Sequence, residues 1–139
     1  MSKIAVVYWS GTGNTAGMAE AIAKGARSQG AEADVLNVSA TNAAALAEYE
    51  KLAFGCPSMG DEVLEESEFE PFFADAEEKL TGVKVALFGS YGWGDGQWMR
   101  EWCERTRAAG AELFEEGLIQ NGEADTAACE EFGAQFAAF

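Results

Sequence analysis

Six consecutive residues, Ser10, Gly11, Thr12, Gly13, Asn14 and Thr15, carry hydroxyl, amide and backbone donors and no charge. The hydroxyls and the amide can donate hydrogen bonds. The glycines let the backbone wrap closely around an anion and take φ > 0 where a turn requires it. No Lys or Arg occurs from Tyr8 to Ala23, so the pattern suits a single phosphate held by neutral donors. A P-loop would end in Gly-Lys-Ser/Thr, whose lysine reaches the outer phosphates; that ending is missing. A dinucleotide fingerprint is a closer rival. Gly11-Thr-Gly13-Asn-Thr-Ala16 satisfies G-x-G-x-x-G/A, and Asp34 follows about twenty residues on. Yet Asp34 falls near the start of the apolar run Val35, Leu36, Val38, whereas a ribose-binding acid belongs at the end of a strand. A glycine-rich turn with no ligand is the plain alternative, and the density of hydroxyls argues against it.

Two further stretches could meet this loop. Gly89-Ser-Tyr-Gly-Trp-Gly-Asp-Gly96 holds four glycines around Tyr91 and Trp93. A large aromatic at the tip of such a loop is exposed unless something flat covers it, so Trp93 suits a stacking platform for a planar ring; the competing reading folds it back onto the core. Cys56-Pro-Ser-Met-Gly-Asp-Glu62 offers a turn centred on Gly60-Asp61. The turn is type II′ if Gly60 takes φ > 0, or type II if Asp61 does. The two differ by rotation of the central peptide, so the Gly60 carbonyl can point toward or away from a neighbour and sense a proton on a ring nitrogen. Met59 offers a soft thioether to an aromatic face. An ordinary surface turn is the alternative.

The elements that must position these loops follow from apolar spacing. Lys3–Trp9 is a near-continuous apolar run, as a central parallel strand must be. Met18, Ala19, Ile22, Ala23 and Ala26 recur at helical spacing, so the first loop opens a helix, which Gly30 stops. Its N-terminus would aim free N–H groups and the positive end of its dipole at an anion. Strands are expected at 35–38, 51–56, 84–88 and 112–119. A small helix is expected at 39–49 and longer ones at 69–80, 97–109 and 126–139. Pro71 fits a first helical turn, and Trp98 and Trp102, four residues apart, read as core. Strand–helix alternation implies an α/β, doubly wound parallel sheet with helices on both faces and right-handed crossovers. Ligands of such sheets bind beyond the carboxyl ends of the strands, where the loops after strands one, three and four should meet.

Composition bounds the function. The 139 residues suit one domain, 1–139. No run is long enough to span a membrane and the N-terminus lacks a signal-peptide pattern, so a soluble, cytoplasmic protein is expected. Cys56, Cys103 and Cys129 form an odd set without paired spacing, as reduced thiols do. With no histidine and no C-x-x-C, a zinc or iron–sulfur site is not expected. The net charge of −15 argues against nucleic acid and anionic membranes and for basic protein partners. Between Asp61 and Glu78 stand nine acids and no base. They read either as a solvated face or as part of the function, since the run begins beside Gly60.

Taken together, Ser10-Gly-Thr-Gly-Asn-Thr15, Met59-Gly-Asp-Glu62 and Gly89-Ser-Tyr-Gly-Trp-Gly-Asp-Gly96 resemble a short-chain flavodoxin of the clostridial type. The resemblance covers essentially the whole chain, and the fifth strand lacks the insertion of long-chain members. It implies a five-stranded sheet of order 2-1-3-4-5 and non-covalently bound FMN. Ser10, Gly11, Thr12, Gly13, Asn14 and Thr15 would hold the phosphate, while Met59 and Trp93 would cover the two ring faces. The Gly60 carbonyl would accept from flavin N5–H after a peptide flip, and Glu62 would pair with N3–H. Pro57, Ser58 and Asp61 would complete the second loop. Ser90, Tyr91, Gly92, Gly94 and Asp95 would line the ring's pyrimidine end and dimethyl edge, and Asn121 would contact the ribityl chain. Pro57 stands where some relatives place a serine.

The implied activity is that of a low-potential one-electron carrier, shuttling between semiquinone and hydroquinone, and not of an enzyme. Its partners would be ferredoxin- or flavodoxin-dependent reductases and oxidoreductases with basic docking surfaces, and the protein would be a monomer. The alternatives are a small NAD(P)H-dependent FMN oxidoreductase, for which no second nucleotide site is evident, and a non-redox binding module of the same fold. A response regulator would need acids after strand one, and a low-molecular-weight phosphatase would need Cys-x5-Arg; neither is present.

Overall fold

The computed structural model describes residues 3–139. The parallel sheet is built from β1 (Lys3–Tyr8), β2 (Glu32–Asn37), β3 (Lys51–Gly55), β4 (Lys84–Tyr91), β5 (Glu112–Leu113) and β6 (Leu118–Asn121). The helices are α1 (Asn14–Ser28), α2 (Phe69–Glu77), α3 (Gln97–Ala108) and α4 (Thr126–Ala138). The order is β2-β1-β3-β4-β5, with β6 also on β4, as expected. Two short 3₁₀ turns, Val38–Ala40 and Ala44–Glu48, stand where one small helix was expected. The Asn37 side chain caps the first of them by accepting the Ser39 N–H at 3.0 Å.

Alternation along the strands makes two cores. Ala5, Val7, Leu52, Phe54, Val85 and Leu87 face α2 and α3, where Phe69, Phe73, Trp98 and Trp102 are buried. Ile4, Val6, Ala53, Ala86 and Phe88 face α1 and α4. Small residues in the middle of that second face let α1 and α4 lie close. A Cβ at Gly25 would stand 1.9 Å from the Glu130 carbonyl oxygen, and one at Gly133 would stand 1.9 Å from the Ile22 carbonyl oxygen. The two glycines therefore set the crossing reciprocally. At the opposite edge from the loops, Lys51 Nζ donates to the carbonyls of Phe136, Ala137 and Phe139 and Lys84 Nζ to that of Phe139, fixing the last turn of α4.

Several boundaries differ from the sequence expectation. β2 begins at Glu32 and ends at Asn37, so Asp34 lies inside it; its carboxylate accepts the Tyr49 hydroxyl at 2.6 Å. β4 runs on through Ser90 and Tyr91, residues expected in a loop. α2 stops at Glu77 rather than at Leu80. The fifth strand is not continuous. Val85 pairs with Leu113 and Phe88 with Leu118, so the edge strand advances five residues while β4 advances three. Glu115 takes φ +53° within the excess, and Phe114 turns inward against Phe132 and Phe136. A left-handed residue cannot continue a ladder, and the strand splits there.

Gly133→Ala should lower the unfolding free energy by about 2 kcal/mol, because overpacking at the backbone crossing outweighs the gain in helix propensity. Chemical denaturation of the two proteins measures the difference.

Candidate functional site

At the carboxyl edge of the sheet the three loops are joined by backbone hydrogen bonds. Trp9 N–H donates to Gly55 O at 3.0 Å, Cys56 N–H to Phe88 O at 3.1 Å and Ser58 N–H to Ser90 O at 3.0 Å. Between them lies a cleft of about 250 Å³, lined by Trp9, Gly11, Thr12, Asn14, Pro57, Ser58, Met59, Ser90, Tyr91, Gly92 and Gly122. None of these carries a charge.

The first loop supplies the donors. Gly13 takes φ +97° at the start of α1, which has no side-chain cap. Ser10 Oγ accepts the Gly13 N–H at 3.0 Å and holds the loop's curvature. Among the described residues, the N–H groups of Gly11, Thr12, Asn14, Thr15 and Ala16 donate to no protein acceptor. An uncapped helix start with free donors is an anion site. Thr15 is buried, and its hydroxyl meets the Ser90 hydroxyl at 2.8 Å. That bond locks the helix start to the end of β4.

The second loop is a tight hairpin. Met59 and Val63 exchange both backbone bonds, Met59 N–H to Val63 O at 2.8 Å and Val63 N–H to Met59 O at 2.9 Å. At the tip, Gly60 takes φ +50° and Glu62 +56°. Gly60 takes a positive φ and Asp61 does not, but the closing pair is Met59–Val63, so three residues span the tip where a two-residue turn centred on Gly60-Asp61 was expected. Left-handed Glu62 was not foreseen. Its buried carboxylate accepts the Gln97 N–H at 3.1 Å, capping α3, and a Cβ at Gly94 would fall 2.6 Å from it. Gly94 is therefore favoured by its φ of +88°, and a side chain there would displace the Glu62 carboxylate.

Behind the hairpin, Glu65 anchors the chain. Its Oε1 accepts the N–H groups of Glu68 at 2.8 Å and Phe69 at 2.9 Å, and its Oε2 accepts the Ser67 N–H at 2.9 Å and the Ser67 hydroxyl. Burial pushes its carboxyl upward, but these donors outweigh burial and lower it to about 2. Glu70 and Glu77 both grip Arg105, at 2.7 and 2.8 Å, tying α2 to α3. Much of the acidic run is thus structural. Asp61, Glu66, Glu68, Asp75 and Glu78 remain exposed.

The other expected residues lie around the cleft and not on its wall. Trp93 is 62% exposed, so it is not folded back onto the core. Gly60 and Asp61 are at the exposed hairpin tip. Asp95 pairs with Arg100 at 3.1 Å, and Asn121 is exposed beside Gly122. Trp9 and Gly122 line the cleft without having been foreseen. A large aromatic directly before Ser10, and a glycine directly after the edge strand, were the available signals. The Cys56 thiol, buried under the second loop, is pushed up to about 12 by desolvation and is chemically quiet.

A neutral anion cradle beside a slot, at the carboxyl edge of a 2-1-3-4-5 sheet, defines a mononucleotide-binding protein of the doubly wound class. The family model described as Flavodoxin matches residues 6–133. The chain is 53% identical to a flavodoxin of Clostridium beijerinckii over 134 residues, covering 95% of this chain and 97% of that protein. It is 42% identical to a flavodoxin of Megasphaera elsdenii, covering 94% and 95%. The solution structure of two-electron reduced Megasphaera elsdenii flavodoxin superposes with a TM-score of 0.91 at 44% identity, over 98% of this chain and 99% of that one. The chain belongs to the flavodoxin family. It is a small FMN-binding electron carrier and not an enzyme, and it works with redox partners. Among the described residues no helix is long and apolar enough to cross a membrane.

Glu65→Gln should destabilise the fold by about 2 kcal/mol at neutral pH, the scale of a lost charged hydrogen-bond set. A carboxyl lowered from 4.5 to about 2 on folding contributes stability that is complete above pH 4.5 and is lost as pH falls toward 2. The stability difference between wild type and variant should shrink over that window, as read by denaturation at a series of pH values.

Proposed function

We propose that FMN lies with its phosphate in the loop of residues 10–15 and its ring between Met59 and Trp93. The observation that carries this reading is the fan of free N–H groups at the uncapped start of α1, with two hydroxyls beside it and no cation. This donor set fits a phosphate monoester and suits neither a metal ion nor a chain of phosphates. The bound flavin supplies reversible one-electron chemistry.

The residues then have separate tasks. Gly11, Thr12, Asn14 and Thr15 donate to the phosphate, and Ser10 and Gly13 shape the loop. Ser90 holds Thr15 in place. Pro57, Ser58, Tyr91 and Gly92 line the slot, and Asn121 stands at its ribityl side. Glu62 uses one oxygen on α3, and its other oxygen accepts the ring N3–H. Gly94 leaves room for that carboxylate, and Asp95 steadies the loop through Arg100. The Gly60 carbonyl accepts from N5–H after its peptide rotates. The Met59–Val63 pair confines that rotation to the tip, where glycine meets little steric resistance. Asp61 and the exposed acids raise the energy of negative charge gained by the ring. These terms set the two one-electron steps apart and place the second at low potential.

Trp93 and Val63 are exposed hydrophobics on the two loops beside the slot, and Asp61 and Glu66 are exposed acids near Val63 in sequence. Exposed apolar groups and acids together suit redox partners with basic docking surfaces, drawn in by a chain of net charge −15. The same charge disfavours self-association and supports a monomer. The whole chain, 1–139, acts as one FMN-binding domain. Its three buried thiols, none in a disulfide, suit the reducing cytoplasm.

Stepwise reduction of the loaded protein, followed in the visible, should show two separated waves. Gly60→Thr should bring them together by on the order of 100 mV, the equivalent of one lost charge-assisted hydrogen bond. An unchanged separation would overturn the role given to the Gly60 carbonyl.

A further inference from the structure

We propose that Trp9 closes the phosphate end of the cleft and that Glu68 positions it. The inference rests on the FMN reading above and adds a residue to it. The main chain of Trp9 is fixed by its N–H bond to Gly55 O at the end of β1. Its indole lies against the phosphate loop: a Cβ at Gly11 would stand 3.1 Å from Cη2 and 3.4 Å from Cζ3. A side chain at Gly11 would press on the ring, so the indole and the loop are in close contact there. At the other side of the indole, Nε1 donates to Glu68 Oε1 at 3.3 Å. The ring therefore bridges the phosphate loop and the residue that precedes α2, and it forms part of the cleft wall.

Neutral donors hold a phosphate well only where water competes poorly for them. A hydrogen bond is stronger in a low local dielectric, and N–H groups open to solvent lose that advantage. The Trp9 indole removes water from one side of the cradle. With its only polar atom engaged by Glu68, it shows carbon alone to the anion. Glu68 is itself an acid, and the bond holds its carboxylate at the side of the indole away from Gly11. Trp9 thus does in this cradle part of what a lysine does in a P-loop. It acts by exclusion of water, where a lysine acts by charge.

The test compares FMN with riboflavin, which lacks the phosphate, by quenching of flavin fluorescence on titration into the apoprotein. Trp9→Ala should weaken FMN binding about tenfold or more while riboflavin binding changes less than about threefold. Trp9→Phe, which restores a flat ring, should recover most of the loss. Glu68→Ala, which removes the acceptor, should release FMN about two- to threefold faster, and should add nothing in the Trp9→Phe background, where no N–H remains to be held. Equal losses for both flavins, or unchanged FMN affinity in Trp9→Ala, would overturn the assignment of Trp9. An undiminished effect of Glu68→Ala in the Trp9→Phe background would overturn that of Glu68. If the wild-type protein itself showed no preference for FMN over riboflavin, the phosphate-loop reading would fail instead, a result distinguishable from either.

Discussion

Holding an anion in a chain of net charge −15 without a neighbouring cation is the constraint on which the rest of this structure depends. The positive potential available at the cleft comes from backbone N–H groups and from the start of α1, equivalent to roughly half an elementary charge. Such a small potential acts only at short range, so the helix must begin in the right place and stay there. Gly13, left-handed and without a side-chain cap, keeps the start open. The Thr15–Ser90 bond fixes it laterally. Gly25 and Gly133, by drawing α1 and α4 into backbone contact, hold the body of the helix. A core feature far from the cleft thereby supports the proposed phosphate site.

The other two loops combine rigidity with one local freedom. Glu62 on α3, Glu65 on the start of α2, and Arg105 between Glu70 and Glu77 tie the surroundings of the hairpin to the helices. What the proposed reading leaves free is the peptide at Gly60. A redox carrier needs a change small enough to be fast and local enough to leave the docking face intact. A rotation held between the paired residues Met59 and Val63 would meet both needs.

Much of this was legible in the sequence because loops that bind mononucleotides are made of unusual residue types. Hydroxyl and glycine density singled out residues 10–15, and glycine density around Trp93 singled out 89–96, and the structure brings residues of both to one cleft at the carboxyl edge of the sheet. The alternation of strands and helices gave the sheet its class. What escaped was the work done by ordinary-looking residues. Trp9 continues the apolar run of β1, so composition alone could not separate it from the core. The acidic run looked like a uniform face, because sequence shows charge but not which carboxylates find donors; Glu65, with four, and exposed Glu66 are adjacent. The split in the fifth strand had a signal in Glu115-Glu116-Gly117, where two acids and a glycine interrupt an apolar stretch.

That split leaves the sheet margin without strand pairing at residues 115–117, on an edge that is already open to solvent. Lengthening a segment outside the ladder disturbs no strand pairing, and loop-closure entropy rises only slowly with length. The gap is therefore a natural splice point. A peptide grafted between Glu115 and Gly117 could carry a tether, an epitope or a second redox module. The cleft at the carboxyl end of the neighbouring strand would be left as it was.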